Sequence, residues 1–392
     1  GGPNFLCTIQ DREARFEPDP EETAAAVDGD ISWSEVTGAE DVAVADFDGN
    51  GELDWVFVGI AEPPRANPHR VCLTIEPDVR CLDLLSEPLP SSSVDVADLD
   101  GDGTIDVLIG GWVDAGAPTG EPVGPEDFDQ LHVCRGDGEG GFECGPTGDL
   151  LDGANEALVN PVSDMAIVDI DADGDLDVVL AAGGPNQVCL GDGRGDLDCS
   201  AVETDDVSQT SGVVSGDFNQ DGRLDVVFAN AGTRNRQCFG SVGDPGEATA
   251  GQFDGFDCTD DPPAPSQRTA MDAGDLTGDG HLDLLVGRVN DSGEELANET
   301  WLCLGNGTGE GGLDCRQSAG TAGGASEVLL ADMNRDGHLD YLLLQAPFGG
   351  PATADGSPAE MSLCLGTGDG AWPGRPGSGD DIRPHFQCSP LD

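Results

Sequence analysis

Short runs in which every second residue is apolar recur along the chain, as in "DVAVAD" (41–46) and "EVLLAD" (327–332). Each run enters an Asp-rich stretch, and each stretch leads into an apolar run such as "LDVVFAN" (224–230) or "LDLLVGR" (282–288). A period of two places one set of side chains against a core, and apolar runs this short, bounded by Gly and Asp, read as strands. No run approaches the length needed to span a bilayer as a helix.

Aligned with itself, the chain shows the Asp-rich stretch six times: "DFDGNGELD" (46–54), "DLDGDGTID" (98–106), "DIDADGDLD" (169–177), "DFNQDGRLD" (217–225), "DLTGDGHLD" (275–283) and "DMNRDGHLD" (332–340). A second, hairpin-like element with two Cys follows each copy: "VCLTIEPDVRC", "VCRGDGEGGFEC", "VCLGDGRGDLDC", a longer "QCFG…FDC", "LCLGNGTGEGGLDC" and "LCLG…FQC". Gly and Asp between the Cys are turn residues. Each repeat therefore reads as strand, Asp loop, strand, linker, strand, turn, strand. Four antiparallel strands in roughly 50–60 residues make one propeller blade, and such sheets bury both faces only by packing radially on others. The fold class is all-β, a propeller of four-stranded antiparallel blades. The repeats fall at about 40–90, 91–160, 161–210, 211–266, 267–324 and 325–392, after an N-terminal hairpin or partial blade and linker over 1–39.

The loops follow D-x-[DNT]-x-[DN]-G-x-x-D. Positions 1, 3 and 5 aim oxygen-bearing side chains at one centre. Gly at position 6 (Gly51, Gly103, Gly174, Gly222, Gly280, Gly337) permits the sharp left-handed turn. The backbone carbonyl of position 7 turns inward, and Asp at position 9 closes the cage. Hard oxygen donors in a flexible loop suit Ca2+. The expected ligand sets are Asp46, Asp48, Asn50, Glu52 and Asp54; Asp98, Asp100, Asp102, Thr104 and Asp106; and Asp169, Asp171, Asp173, Asp175 and Asp177. They continue with Asp217, Asn219, Asp221, Arg223 and Asp225; Asp275, Thr277, Asp279, His281 and Asp283; and Asp332, Asn334, Asp336, His338 and Asp340. In each set the position-7 residue (Glu52, Thr104, Asp175, Arg223, His281, His338) contributes its carbonyl, so the carboxylate of Asp175 is expected to face water. Thr277 is the weakest ligand. About six Ca2+ ions are implied, with a structural role. The alternative is a solvated acidic turn that binds nothing, which six copies in one register disfavour. An EF-hand would need Glu at position 12; these loops have Phe57, Ile109, Leu180, Phe228, Val286 and Leu343, which are core-facing strand residues.

"DFNQDGRLDVVFANAG" followed by "CFG", and "DIDADGDLDVVLAAGG…VCLGDGRGDLDC", resemble FG-GAP/VCBS repeats, the repeats of integrin α-subunit propellers and of many exported bacterial proteins. The resemblance covers about 40–392. It implies a β-propeller with Ca2+ in the hairpin between the first two strands of a blade. Seven blades are common in that family, so seven are favoured and six are the alternative. The Cys pairs depart from the family pattern.

Charge fits this picture. The chain has 392 residues, with 77 acids against 16 bases and a net charge of −61. All the bases are Arg, which points to a GC-rich genome. Such a field repels nucleic acid and anionic membranes and attracts cations. Thirteen Cys without zinc-type spacing indicate an exported, disulfide-bonded protein, extracellular or at a cell surface. Recurrence pairs Cys72 with Cys81, Cys134 with Cys144, Cys189 with Cys199, Cys238 with Cys258, Cys303 with Cys315 and Cys364 with Cys388. Cys7 is left over, because Phe16 stands where its partner would fall when "CTIQDREARFE" (7–17) is laid on "CLTIEPDVRCL" (72–82). It is either a buried thiol, a Cys whose partner was trimmed away, or a bond to a second chain and a route to self-assembly. The start "GGPNFLC", with no initiator Met or leader, is expected of a processed or trimmed product.

Other signals are minor. Two "RGD" strings (135–137 and 194–196) lie in Gly/Asp turns where such strings arise by chance. Asn290, Asn298 and Asn306 head glycosylation sequons and mark exposed loops. Trp55 and Trp301 read as packing residues; Trp112 and Trp372 precede Gly/Pro-rich loops and are the candidates for a sugar platform. His69, His132 and His385 have no recurring nucleophile partner, and no catalytic or cofactor-binding residue stands out. The expectation is a calcium-binding adhesion, binding or extracellular-assembly module for a protein or glycan at a cell surface. A lectin is the alternative, and a polysaccharide-degrading enzyme is the less favoured one.

Overall fold

A computed structural model of the chain describes residues 5–10, 13–18, 39–59, 69–75, 78–85, 91–111, 131–146, 162–203, 209–231, 235–243, 252–260, 268–289, 299–306, 312–317, 327–333, 336–345, 360–366 and 386–391. For 5–10, 13–18, 360–366 and 386–391 the description is of the backbone. Every regular element among them is a β-strand.

β1 (Phe5–Gln10) and β2 (Glu13–Pro18) form a two-stranded sheet, the hairpin expected at the N-terminus. Six four-stranded meanders follow. Blade 1 is β3 (Ala39–Ala45), β4 (Asp54–Gly59), β5 (Arg70–Ile75) and β6 (Asp78–Asp83). Blade 2 is β7 (Ser91–Ala97), β8 (Asp106–Gly111), β9 (Leu131–Gly136) and β10 (Phe142–Pro146). Blade 3 is β11 (Val162–Val168), β12 (Asp177–Ala182), β13 (Gln187–Gly191) and β14 (Leu197–Ala201). Blade 4 is β15 (Gln209–Gly216), β16 (Asp225–Ala231), β17 (Arg236–Val242) and β18 (Phe253–Asp260). Blade 5 is β19 (Arg268–Gly274), β20 (Asp283–Val289), β21 (Glu299–Gly305) and β22 (Leu313–Gln317). Blade 6 is β23 (Glu327–Ala331), β24 (Asp340–Gln345), β25 (Glu360–Gly366) and β26 (Phe386–Leu391). Every pairing within the blades is antiparallel.

The chain forms two compact units. One comprises Gly1–Phe5 with Pro18–Val207 and holds blades 1 to 3; the other comprises Leu6–Glu17 with Ser208–Asp392 and holds blades 4 to 6. In the first unit the second strand of each blade is apolar on both sides. Val107 and Ile109 of β8 pack with Val56 and Val58 of blade 1, whereas Leu108 packs with Val178 and Leu180 of blade 3. In the second unit Val227 meets Leu284 and Val286, and Leu285 meets Tyr341 and Leu343. This explains why these runs are continuously apolar: both sheet faces are buried.

The first strands alternate instead. Their polar positions hold blades together through carboxylates rather than apolar contact. Asp41 accepts the N–H of Val42 and, from the next blade, that of Val94, both at 2.8 Å. Asp272 does the same with Ala273 and Leu330, at 2.8 and 2.7 Å. Asp95 takes the N–H of Val96 and that of Ile167 in the following blade. Burial raises all three acids, Asp41 to about 6. A folded-state value above the unfolded 3.8 means that the folded chain holds the proton longer. The associated stability is complete below the unfolded value and is lost as pH rises through about 6. Replacing Asp41 by Asn should remove this slope. Between about pH 4 and pH 7, urea unfolding of wild type should lose about 1–2 kcal/mol more than the variant does. Parallel pH profiles would refute the assignment.

Candidate metal centres

Each Asp loop joins the first two strands of a blade. Its shape is fixed by Asx-type bonds from carboxylate to backbone. The position-1 Asp accepts the N–H of the position-6 Gly in all six loops, at 2.8 to 3.1 Å. The position-5 side chain accepts the N–H of position 7 in all six, at 2.7 to 3.0 Å. The position-6 Gly is left-handed in every copy, with φ between 85° and 99°. Position 4 is left-handed in the five loops where it is described: Gly49, Gly101 and Gly278 have φ near 70°, and Ala172 and Gln220 adopt 60° and 58°. The recurrent Gly at position 4 was the available sign of this second turn.

Position 9 has two tasks. Asp54, Asp106, Asp177, Asp225, Asp283 and Asp340 are at most 1% exposed. One oxygen of each accepts the N–H of position 2, namely Phe47, Leu99, Ile170, Phe218, Leu276 and Met333, at 2.8 to 3.0 Å. In blades 1 to 5 the other accepts an N–H from the blade's third strand, from Thr74, Gly136, Gly191, Gly240 and Gly305, at 2.7 to 3.0 Å. The carboxylate thus staples loop, second strand and third strand. The apolar position-2 residue is the matching plug: Phe47, Leu99, Ile170 and Phe218 are buried, and Phe47 meets Phe142 of blade 2 edge to face at 5.5 Å. Burial raises the carboxyls of Asp54, Asp106, Asp177, Asp225 and Asp283, Asp225 to about 6 and Asp283 to about 7. Replacing Asp177 by Ala should strand the N–H groups of Ile170 and Gly191, bonded at 2.8 Å each. The loss should be about 3–5 kcal/mol whether or not calcium is present, read by chemical denaturation. A loss confined to calcium-containing buffer would mean that the carboxylate acts only as a ligand.

In three loops, three of the expected ligands converge. Carboxylate oxygens of Asp46, Asp48 and Asp54 lie within 4.8 Å of one another, as do those of Asp98, Asp100 and Asp106, and of Asp169, Asp171 and Asp177. Asp98 Oδ1, Asp169 Oδ1 and Thr277 Oγ1 are buried at these loops and have no hydrogen-bond partner. Clustered like charges and unsatisfied buried oxygens are both unfavourable, and a bound divalent cation relieves both. The donor set is all oxygen, as Ca2+ requires.

Position 7 varies in its surroundings. Glu52 and His338 are exposed. Thr104 Oγ1 lies 2.6 Å from Asp102 Oδ1 and 3.0 Å from the Gly136 carbonyl. Asp175 is half-buried, its carboxylate close against Gly193, where the sequence had suggested water. Arg223 Nε donates to the Gly240 carbonyl at 2.8 Å, and its guanidinium pairs with Asp221. Asn334 lies outside the described residues.

Five disulfides form as expected: Cys72–Cys81, Cys134–Cys144, Cys189–Cys199, Cys238–Cys258 and Cys303–Cys315. Each links directly opposed residues of the outer two strands. Cys364 and Cys388 oppose each other in the backbone register of blade 6, with their side chains outside the described part, as is that of Cys7. Of the minor signals, Arg135 in the first RGD string sits 3.7 Å from Asp100 and donates to the Gly195 carbonyl at 3.4 Å. Asn306 is exposed, and Trp301 packs on the blade 4–5 core. His69 is buried, with Nε2 2.9 Å from the equally buried Ser91 Oγ. Trp33, Trp112, Trp372, His385, Asn290 and Asn298 lie outside the described residues.

The FG-GAP-like repeat family model matches residues 169–228 and 275–343, each segment starting at the first Asp of one loop and running through the next loop. A lectin of Agrocybe aegerita that specifically recognises non-reducing terminal N-acetylglucosamine is similar in structure. Its TM-score is 0.51 at 14% identity, over 91% of this chain and 86% of that one. BBS1N, solved in complex with ARL6DN, aligns over 84% of this chain and 77% of that chain, with TM-score 0.43 and 9% identity. The V. cholerae biofilm matrix protein Bap1 aligns over 74% of this chain and 41% of its own, with TM-score 0.38 and 18% identity. A search of curated proteins gave no match. The likeness to the lectin is one of fold.

Proposed function

We propose that this chain, which carries FG-GAP-like repeats on propeller-type blades, is an exported, calcium-stabilised binding module that engages a protein or glycan at a cell surface or in an extracellular assembly. The observation that carries the calcium reading is the convergence of three carboxylates in each of three loops, together with buried loop oxygens that lack a partner. Positions 1, 3, 5 and 9 would hold the ion with their side chains and position 7 with its carbonyl. The ion would neutralise the loop and hold the first two strands of each blade together. Export is supported by the disulfides, which a reducing cytosol does not maintain. No helix among the described residues is long and apolar enough to cross a membrane.

The reading is non-enzymatic. Among the described His residues, His69 faces Ser91, but both are at most 1% exposed and out of reach of a substrate. The fold shared with a glycan-binding lectin favours glycan recognition as the second reading. The intact protein, labelled and applied to a glycan array and to surface-protein panels, should show selective retention in millimolar calcium that is lost in EDTA. Retention unaffected by EDTA would sink the calcium dependence. Absence of selective retention on both panels would sink the binding role.

A further inference from the structure

At positions 3 and 7 the six loops differ between the two compact units. Position 3 is Asp in every loop of the first unit (Asp48, Asp100, Asp171) and neutral in every loop of the second (Asn219, Thr277, Asn334). Position 7 moves the same way. It is Glu52, Thr104 and Asp175 in the first unit, and Arg223, His281 and His338 in the second. Among the described residues the three convergent carboxylate trios lie in the first unit, each including the acid at position 3.

In the second unit other donors occupy part of that space. In the loop at 217–225, the Arg223 guanidinium pairs with Asp221, and Asn219 Nδ2 donates to the same Asp221 Oδ2 at 3.0 Å. That oxygen is therefore engaged from within the chain, by a fixed positive charge and an amide. In the loop at 275–283, position 3 offers only a hydroxyl, Thr277 Oγ1, buried and without a partner. One opposing feature exists in the first unit: Arg135 stands 3.7 Å from Asp100. Among the described residues the loop at 169–177 has no such ion pair, and it has the most carboxylates, Asp169, Asp171, Asp173, Asp175 and Asp177.

Calcium affinity in oxygen cages rises with the number of charged ligands. At positions 1, 3, 5 and 9 the loops at 98–106 and 169–177 carry four carboxylates, and each of the others carries three, the loop at 46–54 included because Asn50 is neutral. Resting on the calcium reading above, we infer that the protein has two classes of calcium site: two tight sites, at 98–106 and 169–177, and four weaker ones. The two tight loops stay loaded when calcium falls. The others fill and empty with ambient calcium, so the second unit, whose three loops all belong to the weaker class, is the part of the molecule whose order responds to the surroundings.

The test is calcium titration of the intact, metal-stripped protein by isothermal calorimetry, with the number of bound ions checked by equilibrium dialysis. Two ions should bind with Kd at least about tenfold below that of the other four. Asp171→Asn should move one ion from the tight class to the weak class, and Asn219→Asp should move one the other way. Because an added acid at the buried Asn219 could impair folding, Thr277→Asp serves as a second gain-of-charge variant, with circular dichroism to confirm the fold. Six equivalent sites, the reverse order, or class sizes unmoved by these substitutions in folded protein would overturn the two-class scheme while leaving calcium binding intact. No uptake at all would instead overturn the calcium reading on which it rests.

Discussion

Chelating calcium is expected to lower the melting temperature of the intact protein by about 10 °C or more. In millimolar calcium, a site with Kd near 10^-4 M adds about 1.4 kcal/mol by mass action. Three such weak-class sites then add about 4 kcal/mol to a compact unit, and tighter sites add more, where 1 kcal/mol moves the melting point of a unit of this size by about 2–4 °C. The physical source is the repulsion among carboxylates such as Asp169, Asp171 and Asp177, whose oxygens crowd within 4.8 Å. Differential scanning calorimetry in calcium and in EDTA reads the shift, and magnesium should restore little of it because its rigid octahedral shell suits a flexible loop poorly. Identical melting in calcium and EDTA would show that the loops are self-sufficient turns.

Reduction of the disulfides should be more damaging still. The five bonds close loops with separations of 9, 10, 10, 20 and 12 residues. In the chain-entropy model each contributes about 3 kcal/mol, so together they match or exceed the 5–15 kcal/mol that typically separates folded from unfolded chains. The inner Cys of each pair (Cys72, Cys134, Cys189, Cys238, Cys303) is at most 1% exposed and belongs to the apolar layer between sheets. Thiol treatment in saturating calcium, with free thiols counted, should therefore abolish the cooperative transition. The double variant Cys189→Ala/Cys199→Ala should lose only about 3 kcal/mol. A fully reduced protein that melts as the oxidised one does would refute the stapling role.

Much of the design was legible before any coordinates. The two-residue period marked the strands, and the loop pattern placed a turn between the first two strands of all six blades. Spacing of the Cys gave partners that the register sets face to face, as Cys189 and Cys199 are. Less legible was the second task of position 9. A carboxylate that could close a cage and one that accepts backbone N–H bonds are the same letter, and Asp177 does the latter only because β13 brings Gly191 N to 2.8 Å. The inner-strand acids were hidden for a similar reason. Asp41 and Asp272 look like solvated polar positions of alternating strands, yet each accepts a backbone N–H from the following blade.

By itself, the sequence determined whatever depends on spacing along the chain: the six repeats, the four strands in each, the left-handed turn at each position-6 Gly and the grouping of oxygen donors in nine residues. These are local because a few dihedral angles and one or two bonds settle them. Only the tertiary structure decided what depends on residues distant in the chain. It fixed which sheet face each apolar residue of β8 covers, which backbone N–H groups Asp41 and Asp177 accept from other strands, and the bond from Arg223 Nε to the Gly240 carbonyl. Buried polar groups must find partners wherever packing brings them, and packing is not written in nearest neighbours.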